Sequence, residues 1–257
     1  MLSDLGDAIE SDQLFLEFQP KIEMKSNRVT GVEALVRWQH PVHGLVPPDK
    51  FIGPAEQTGL IKPLTQWVIN AALRQSHLLR KAGFMVPIAV NISARNLVDP
   101  DLSRDIKNLL ATWNIDGGDL EFEITETAMM NDFAMALNTL KDLMSLGSAI
   151  SIDDFGTGYS SLRYIKKMPI STIKIDQSFT GDITKNKDAA TIVRSIIGLA
   201  NHLGHTVVAE GVEDRAMWDF LVEEGCDEAQ GYYISRPMTG DALQGFLAGQ
   251  PWTPNEG

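Results

Sequence analysis

The 257-residue sequence holds one cysteine, no long apolar run and few basic residues. With Cys226 alone, no intrachain disulfide can form, and a reducing compartment, the cytoplasm, is the expected location. Cys226 stands in Glu-Glu-Gly-Cys-Asp-Glu-Ala-Gln, ahead of an expected strand, and reads as a small buried residue. No stretch approaches the ~20 consecutive apolar residues of a membrane span, so no membrane contact by this domain is expected. A membrane anchor of a longer native chain would belong to regions outside this sequence. The first ten residues are acidic and lack a basic segment followed by an apolar one, so they do not read as a signal peptide. Basic residues number 22 against 34 acidic ones, a net charge of −12. That excludes a nucleic-acid coat or a binder of anionic membranes, both of which need basic patches. It leaves room for a small phosphorylated ligand, provided divalent cations or a few placed arginines neutralise it.

At 44 % hydrophobic and 22 % charged, the composition is that of a folded globular domain with a sizeable core. The length suits one α/β barrel better than two small domains. Residues 1–250 read as a single domain, and 251–257 as a polar, proline-containing tail that frays.

Leu14 to Met24 and Val29 to Trp38 read as strands with only Lys25, Ser26, Asn27 and Arg28 between them. A parallel crossover needs a dozen residues or more, so the pair is expected to be an antiparallel hairpin. Strands and helices then alternate. A helix is expected from Pro63 to Lys81, with Leu64, Trp67, Val68, Ala71 and Leu78 on one face. A strand ends at Asn91, a helix spans Leu102 to Trp113, and a strand runs to Glu126. A helix capped by Asp132 and closed by Gly147 follows, then a strand to Asp154. A short helix is expected near Ser160 to Lys167, a strand at Thr172 to Ile175, and a helix from Lys187 to Leu203. Thr206 to Ala209 (strand), Asp214 to Glu224 (helix) and Glu228 to Tyr233 (strand) complete the chain. The expected architecture is a TIM-like (β/α)8 barrel whose first strand is antiparallel.

Seven apolar runs carry an acid, amide or amine at or near their ends: Glu33, Asn91, Glu123, Asp153 with Asp154, Lys174, Glu210 and Gln230. Strand ends converge on one rim of a barrel. Five carboxylates brought to one spot repel each other, and cations are the natural remedy, so the set reads as a metal centre.

Each piece has a plainer alternative. Asp153-Asp154-Phe155-Gly156-Thr157-Gly158-Tyr159 puts two acids side by side, where adjacent strand side chains point to opposite faces. They can share a metal if the strand has just broken into a loop, which Gly156 and Gly158 permit. The run is equally an acidic turn. Glu33 and Arg37, four apart on a strand, suit a cation and a phosphate or form a surface ion pair. Asn91 offers a carbonyl oxygen to a hard cation, or caps a turn, a job for which Ser93 competes. Glu121 and Glu123 share a face. Glu126 reads as a tether for the loop after Asp154 or as a helix cap. Lys174 is either an inward lysine that neutralises developing charge or an edge lysine reaching solvent. Glu210 and Glu213 both face the rim across the break at Gly211, unless Glu213 caps the next helix. His40 with His43, and His202 with His205, have spacings seen in zinc sites but lack further ligands.

Taken together and in order, these residues resemble a known series. Glu33-Ala34-Leu35-Val36-Arg37, Asn91-Ile92-Ser93, Glu123 to Glu126, Asp153-Asp154-Phe155-Gly156-Thr157-Gly158-Tyr159-Ser160, Lys174-Ile175-Asp176, Glu210 to Glu213 and Gln230-Gly231-Tyr232 are similar to the signature stretches of EAL-domain cyclic di-GMP phosphodiesterases. The resemblance covers essentially the whole chain. It implies a TIM-like barrel with a reversed first strand, two Mg²⁺ or Mn²⁺ ions, and hydrolysis of cyclic di-GMP to linear pGpG. The implied ligands are Glu33, Asn91, Glu123, Asp153, Asp154 and Glu210, with Lys174 and Glu210 acting on the water. Gln19, Leu35, Arg37 and Gln230 are implied near the nucleotide, Glu126 as the loop tether, and Asp176 and Glu213 as supports behind the ligands. A homodimer and sensory or GGDEF domains in a longer chain are implied partners. One stretch departs from the family's Phe-Ile-Pro-x-Ala-Glu pattern: it reads Phe51-Ile52-Gly53-Pro54-Ala55-Glu56, with the proline moved by one.

Overall fold

The computed structural model describes residues 2–130, 132–157 and 165–254. The expectations for Gly158, Tyr159 and Ser160, and for most of the helix begun at Ser160, lie outside those residues.

Helix α1 (Leu2–Ile9) leads into β1 (Leu14–Glu23), and the chain doubles back at once into β2 (Arg28–His40). Asn27 takes a φ of 54° in the turn, a left-handed position that asparagine tolerates. The two strands pair antiparallel from Leu14↔Trp38 to Glu23↔Arg28, with a register shift between Lys21 and Ile22. The hairpin required by the short link is therefore present. A further strand, β3 (Gly44–Val46), folds back on the end of β2.

The chain continues through α2 (Ile52–Thr58), α3 (Ile61–Lys81), β4 (Ile88–Ile92), α4 (Ala94–Leu97), α5 (Leu102–Trp113), β5 (Leu120–Thr125), α6 (Glu126–Met130) and α7 (Phe133–Ser145). It ends with β6 (Ala149–Phe155), β7 (Thr172–Ile175), α8 (Gln177–Thr180), α9 (Lys187–Leu203), β8 (Thr206–Ala209), α10 (Arg215–Glu223), β9 (Glu228–Ala229) and α11 (Gly240–Ala248). From β2 through β4 to β9 neighbouring strands are parallel, and β1 closes the barrel antiparallel to both β2 and β9. Among the described residues, eight strands form the barrel and β3 hangs outside it.

Several expectations shift in detail. On α3 the buried stripe is Leu64, Val68, Ala72 and Leu79, while Leu78 is 47 % exposed. The helix begins two residues before Pro63, which sits in the first turn where its missing N–H costs nothing. The moved Pro54 likewise falls in the first turn of α2. The last strand stops at Ala229 instead of Tyr233. A Cβ at Gly231 would come within 2.2 Å of the Val212 carbonyl oxygen. The chain therefore presses there against Val212 and curls, with Tyr233 N–H donating to Val212 O. The expectation of a free tail fails at Trp252, whose ring lies 4.9 Å from Trp218 and 5.6 Å from Tyr233.

Alternation within the barrel strands decides where the polar groups go. Ile88, Val90, Phe122, Ile124, Ile150, Ile152, Ile173 and Ile175 form one set, all fully or nearly fully buried in the core. The other face carries Lys21, Glu121, Glu123 and Lys174, each at most 7 % exposed. Barrel interiors are commonly filled by branched apolar residues. Here charges fill the site end.

Candidate metal centre and ligand site

Lys174 lies at the centre of the site and is fully buried on β7. Its Nζ is 2.7 Å from Glu123 Oε2, 2.7 Å from Glu210 Oε1, 3.3 Å from Asp153 Oδ1 and 3.7 Å from Glu33 Oε2. The edge-lysine alternative is thereby excluded. Burial works against its charge, but Glu123, Glu210, Glu33 and Asp153 outweigh burial and hold its pKa well above the usual lysine value.

The register explains why these groups meet. Asn91 pairs with Glu123 across β4 and β5, and Thr125 with Asp153 across β5 and β6. Glu210 follows the end of β8, next to β7. β6 does not break into a loop after Asp153, as the sequence suggested. It bulges between Ile152 and Phe155, and Phe155 resumes pairing with Ile175. Asp154 sits in the bulge with a φ of 54°. A bulge re-aims a side chain. This one turns Asp154 to the same side as Asp153 and Glu210, so that one carboxylate oxygen from each lies within 4.8 Å of the others.

Glu33 is held by amides. Asn91 Nδ2 donates to its Oε1 at 2.8 Å, and Gln230 Nε2 to its Oε2 at 2.7 Å. Burial raises the Glu33 pKa, but Lys174, Gln230 and Asn91 together bring it below the usual value. Gln230 Nε2 also donates to Gln19 Oε1 at 3.1 Å, and Gln19 Nε2 donates to Ser235 O. Gln230 Oε1 is buried without a hydrogen-bond partner.

The remaining carboxylates are crowded. Burial, then Glu33, pushes Glu123 well above the normal range. Burial raises Glu210 to about 7 despite Lys174, and burial with Asp153 and Asp176 raises Asp154 to about 6. Among the described residues, six carboxyl groups (Glu33, Glu121, Glu123, Asp153, Asp154 and Glu210) face two ammoniums, those of Lys21 and Lys174. Such a cluster is short of positive charge, and hard carboxylate and amide oxygens are the donors that Mg²⁺ and Mn²⁺ take. The residues present fit divalent cations.

Supporting positions also separate. Glu126 begins α6, and its Oε2 accepts from Gly156 N–H at 3.2 Å. Ser93 caps α4 and Asp214 caps α10, which leaves Asn91 and Glu213 facing the site. Asp176 caps α8 beneath Asp154. Arg37 pairs with Glu17 at 2.7 Å, so it forms no surface pair with Glu33. The histidines take other work: His40 Nδ1 accepts from Val42 and His43 N–H, and His202 Nδ1 contacts Gly198 O. Among the described residues they join no cluster of metal-ligating side chains.

Two cavities adjoin the hydrogen-bonded pair, Glu33 lining the first and Asn91 the second. One, of about 400 Å³, is polar and lined by Gln19, Glu210, Glu213, Gln230 and Tyr232. The other, of about 500 Å³, is mainly apolar and includes Leu35, Arg37, Glu56 and Asn91. They meet across the Glu33–Asn91 hydrogen bond, and the second has the size of a small-molecule pocket.

Sequence reasoning missed Lys21 and Gln177 and gave Tyr232 no role of its own. The signal for Lys21 was present: it lies two residues from Gln19 on one strand, so both face inward. Gln177 and Tyr232 lie outside regular strands, where alternation gives no direction.

A model of the EAL domain family matches residues 2–237. Cyclic di-GMP phosphodiesterase PA2567 of Pseudomonas aeruginosa is 40 % identical over 248 residues, covering 96 % of this chain and 42 % of its own length. Cyclic di-GMP phosphodiesterase PdeR of Escherichia coli is 40 % identical over 94 % of this chain and 36 % of its own. The chain thus spans less than half of these curated relatives. Among solved structures, the PaMucR phosphodiesterase in complex with c-di-GMP superposes with a TM-score of 0.90 at 42 % identity, covering 94 % of this chain and 98 % of that one.

Proposed function

Because the chain belongs to the EAL domain family, we propose that it is a metal-dependent phosphodiesterase that hydrolyses cyclic di-GMP to linear pGpG. The observation that carries this reading is the ring of four carboxylates around Lys174, beside the Asp153–Asp154–Glu210 group and next to a mainly apolar pocket that includes Arg37. The names of the relatives and the c-di-GMP complex of PaMucR support the substrate.

Glu33, Asn91, Glu123, Asp153, Asp154 and Glu210 would hold the cations. The crowding that raises the carboxyls of Glu123, Glu210 and Asp154 is what two divalent ions would relieve, which supports their binding here. When bound, such ions offset phosphate charge and make water acidic enough to attack near neutral pH. The chain's own groups do the rest. Arg37 draws a phosphate to the acidic mouth. Gln230, which lines the polar cavity and holds Glu33, stands next to the nucleotide. Glu210, 2.7 Å from Lys174, is placed to take a proton from the attacking water. Lys174 stays protonated and stabilises the charge that grows on phosphorus-bound oxygen. Water adds to phosphorus, the bond to one 3′-oxygen breaks, and that oxygen leaves with a proton. The product keeps its phosphate at the 5′ end.

A homodimer belongs to the same reading, as do sensory or GGDEF domains in a longer polypeptide. The short span against the relatives supports the second. No helix among the described residues is long and apolar enough to cross a membrane.

The test is incubation of the purified protein with cyclic di-GMP and Mg²⁺ or Mn²⁺, with and without chelator. Metal-dependent appearance of pGpG is expected. Nucleotide binding without product would make the chain a receptor and overturn the hydrolytic reading.

A further inference from the structure

Beneath the proposed ligands lies a second charged layer that the chemistry above does not use. Lys21 of β1 is 2 % exposed, and its Nζ hydrogen-bonds Glu121 Oε2 and reaches Glu123 Oε1 at 3.5 Å. Glu123 is fully buried, and its other oxygen accepts from Lys174 at 2.7 Å. The two oxygens of one carboxylate are thus divided between ammoniums from two strands, β1 and β7.

The local backbone makes room for this contact. Lys21 pairs with Gly31 across the hairpin. A Cβ at Gly31 would lie 3.0 Å from Lys21 Cε and 3.6 Å from Pro87 O. The register shift directly after Lys21 is a second adjustment at the same point.

We propose that Lys21 is a positioning residue: anchored by Glu121, it fixes the plane of the Glu123 carboxylate so that Glu123 presents itself to a divalent cation. A contact from Lys174 alone leaves Glu123 free to turn about that contact. A second contact on the other oxygen removes that freedom. A merely structural pair would be complete with Lys21 and Glu121, which neutralise each other. The reach to Glu123 is what such a pair does not need. Partners of this kind behind metal ligands are worth 10–100-fold in metal affinity. The inference rests on the metal-dependent reading above.

The test is the Mn²⁺ dissociation constant, measured by titration calorimetry on chelator-stripped protein, with folding checked by circular dichroism. Lys21→Met alone leaves Glu121 buried without its cation, so the double variant Lys21→Met with Glu121→Gln carries the test. Gly31→Ala is the gentler probe, because its methyl group presses on the Lys21 side chain. Wild type is expected to bind Mn²⁺, the folded double variant ~10–100-fold more weakly, and Gly31→Ala with a smaller loss in the same direction. A folded double variant that binds like wild type overturns the proposal. So does unaltered binding in Gly31→Ala if the double variant does not fold. Wild-type protein that binds no Mn²⁺ overturns the metal reading itself, which separates the two failures.

Discussion

Lys174 and Glu210 meet at 2.7 Å in a setting where the ammonium is fully buried and the carboxyl is raised to about 7. The pair joins the two halves of the site, since Lys174 also touches Glu123 and Glu33, while Glu210 groups with Asp153 and Asp154. Lys174→Ala is expected to lower turnover ~100-fold or more, with a much smaller change in nucleotide affinity. Equal losses in kcat and in binding would make Lys174 a substrate anchor instead.

Glu33→Ala and Asp153→Asn each remove one wall of the ring around Lys174. Both are expected to abolish metal-dependent turnover. Unchanged rates with Mg²⁺ and Mn²⁺ in either variant would remove that residue from the metal set.

The metal-free protein is expected to lose stability as pH rises. Glu210 titrates at about 7 in the fold against an ordinary 4.5. A raised carboxyl contributes fully below 4.5, and its contribution is lost as pH climbs through 7. Melting temperatures of chelated protein should therefore fall across that window, and less steeply in Glu210→Gln. Saturating Mn²⁺ is expected to remove most of the slope. A slope untouched by metal would show that the carboxylates hold no cation.

Glu126→Ala takes away the acceptor of the Gly156 N–H. The expected result is faster amide hydrogen exchange at Gly156 and weaker metal dependence of turnover. Wild-type behaviour in both would end the tether role.

Gly211 has a φ of 65°, and a Cβ there would lie 2.6 Å from Gln177 Cβ. Gly211→Ala is expected to destabilise the fold by about 1–3 kcal/mol from backbone strain, with the clash added. A denaturant midpoint equal to that of wild type would contradict both.

How much of this was legible in the sequence depends on the range of the interactions concerned. The reversed first strand followed from a link too short for a crossover, which is local geometry. The cap at Asp132 followed from local side-chain chemistry, and Ser93 was one of two candidates for the cap of α4, whereas the cap of α10 is Asp214 and not Glu213. The end of β9 did not, because Gly231 curls only where it meets Val212, far away in the chain. The face of α3 was displaced for a similar reason: periodicity gives a stripe, and neighbours choose its edge. Trp252 looked like part of a free tail because its partners Trp218 and Tyr233 become neighbours only in the folded chain.

For the site, the sequence by itself determined that acids, amides and a lysine fall on successive apolar runs, and the resemblance of their joint order to a known series singled them out. Glu33 lies in mid-strand on β2, away from the end that the sequence suggested. Only the tertiary structure decided their partners. It gave Arg37 to Glu17 and Glu33 to Asn91 and Gln230. It also turned Asp154 inward through a bulge, where the sequence suggested a broken strand. Lys21 acquired its place beneath Glu123 in the same way. Buried charges are settled by the few ångströms that separate them from their counter-charges, and closing the barrel sets those distances.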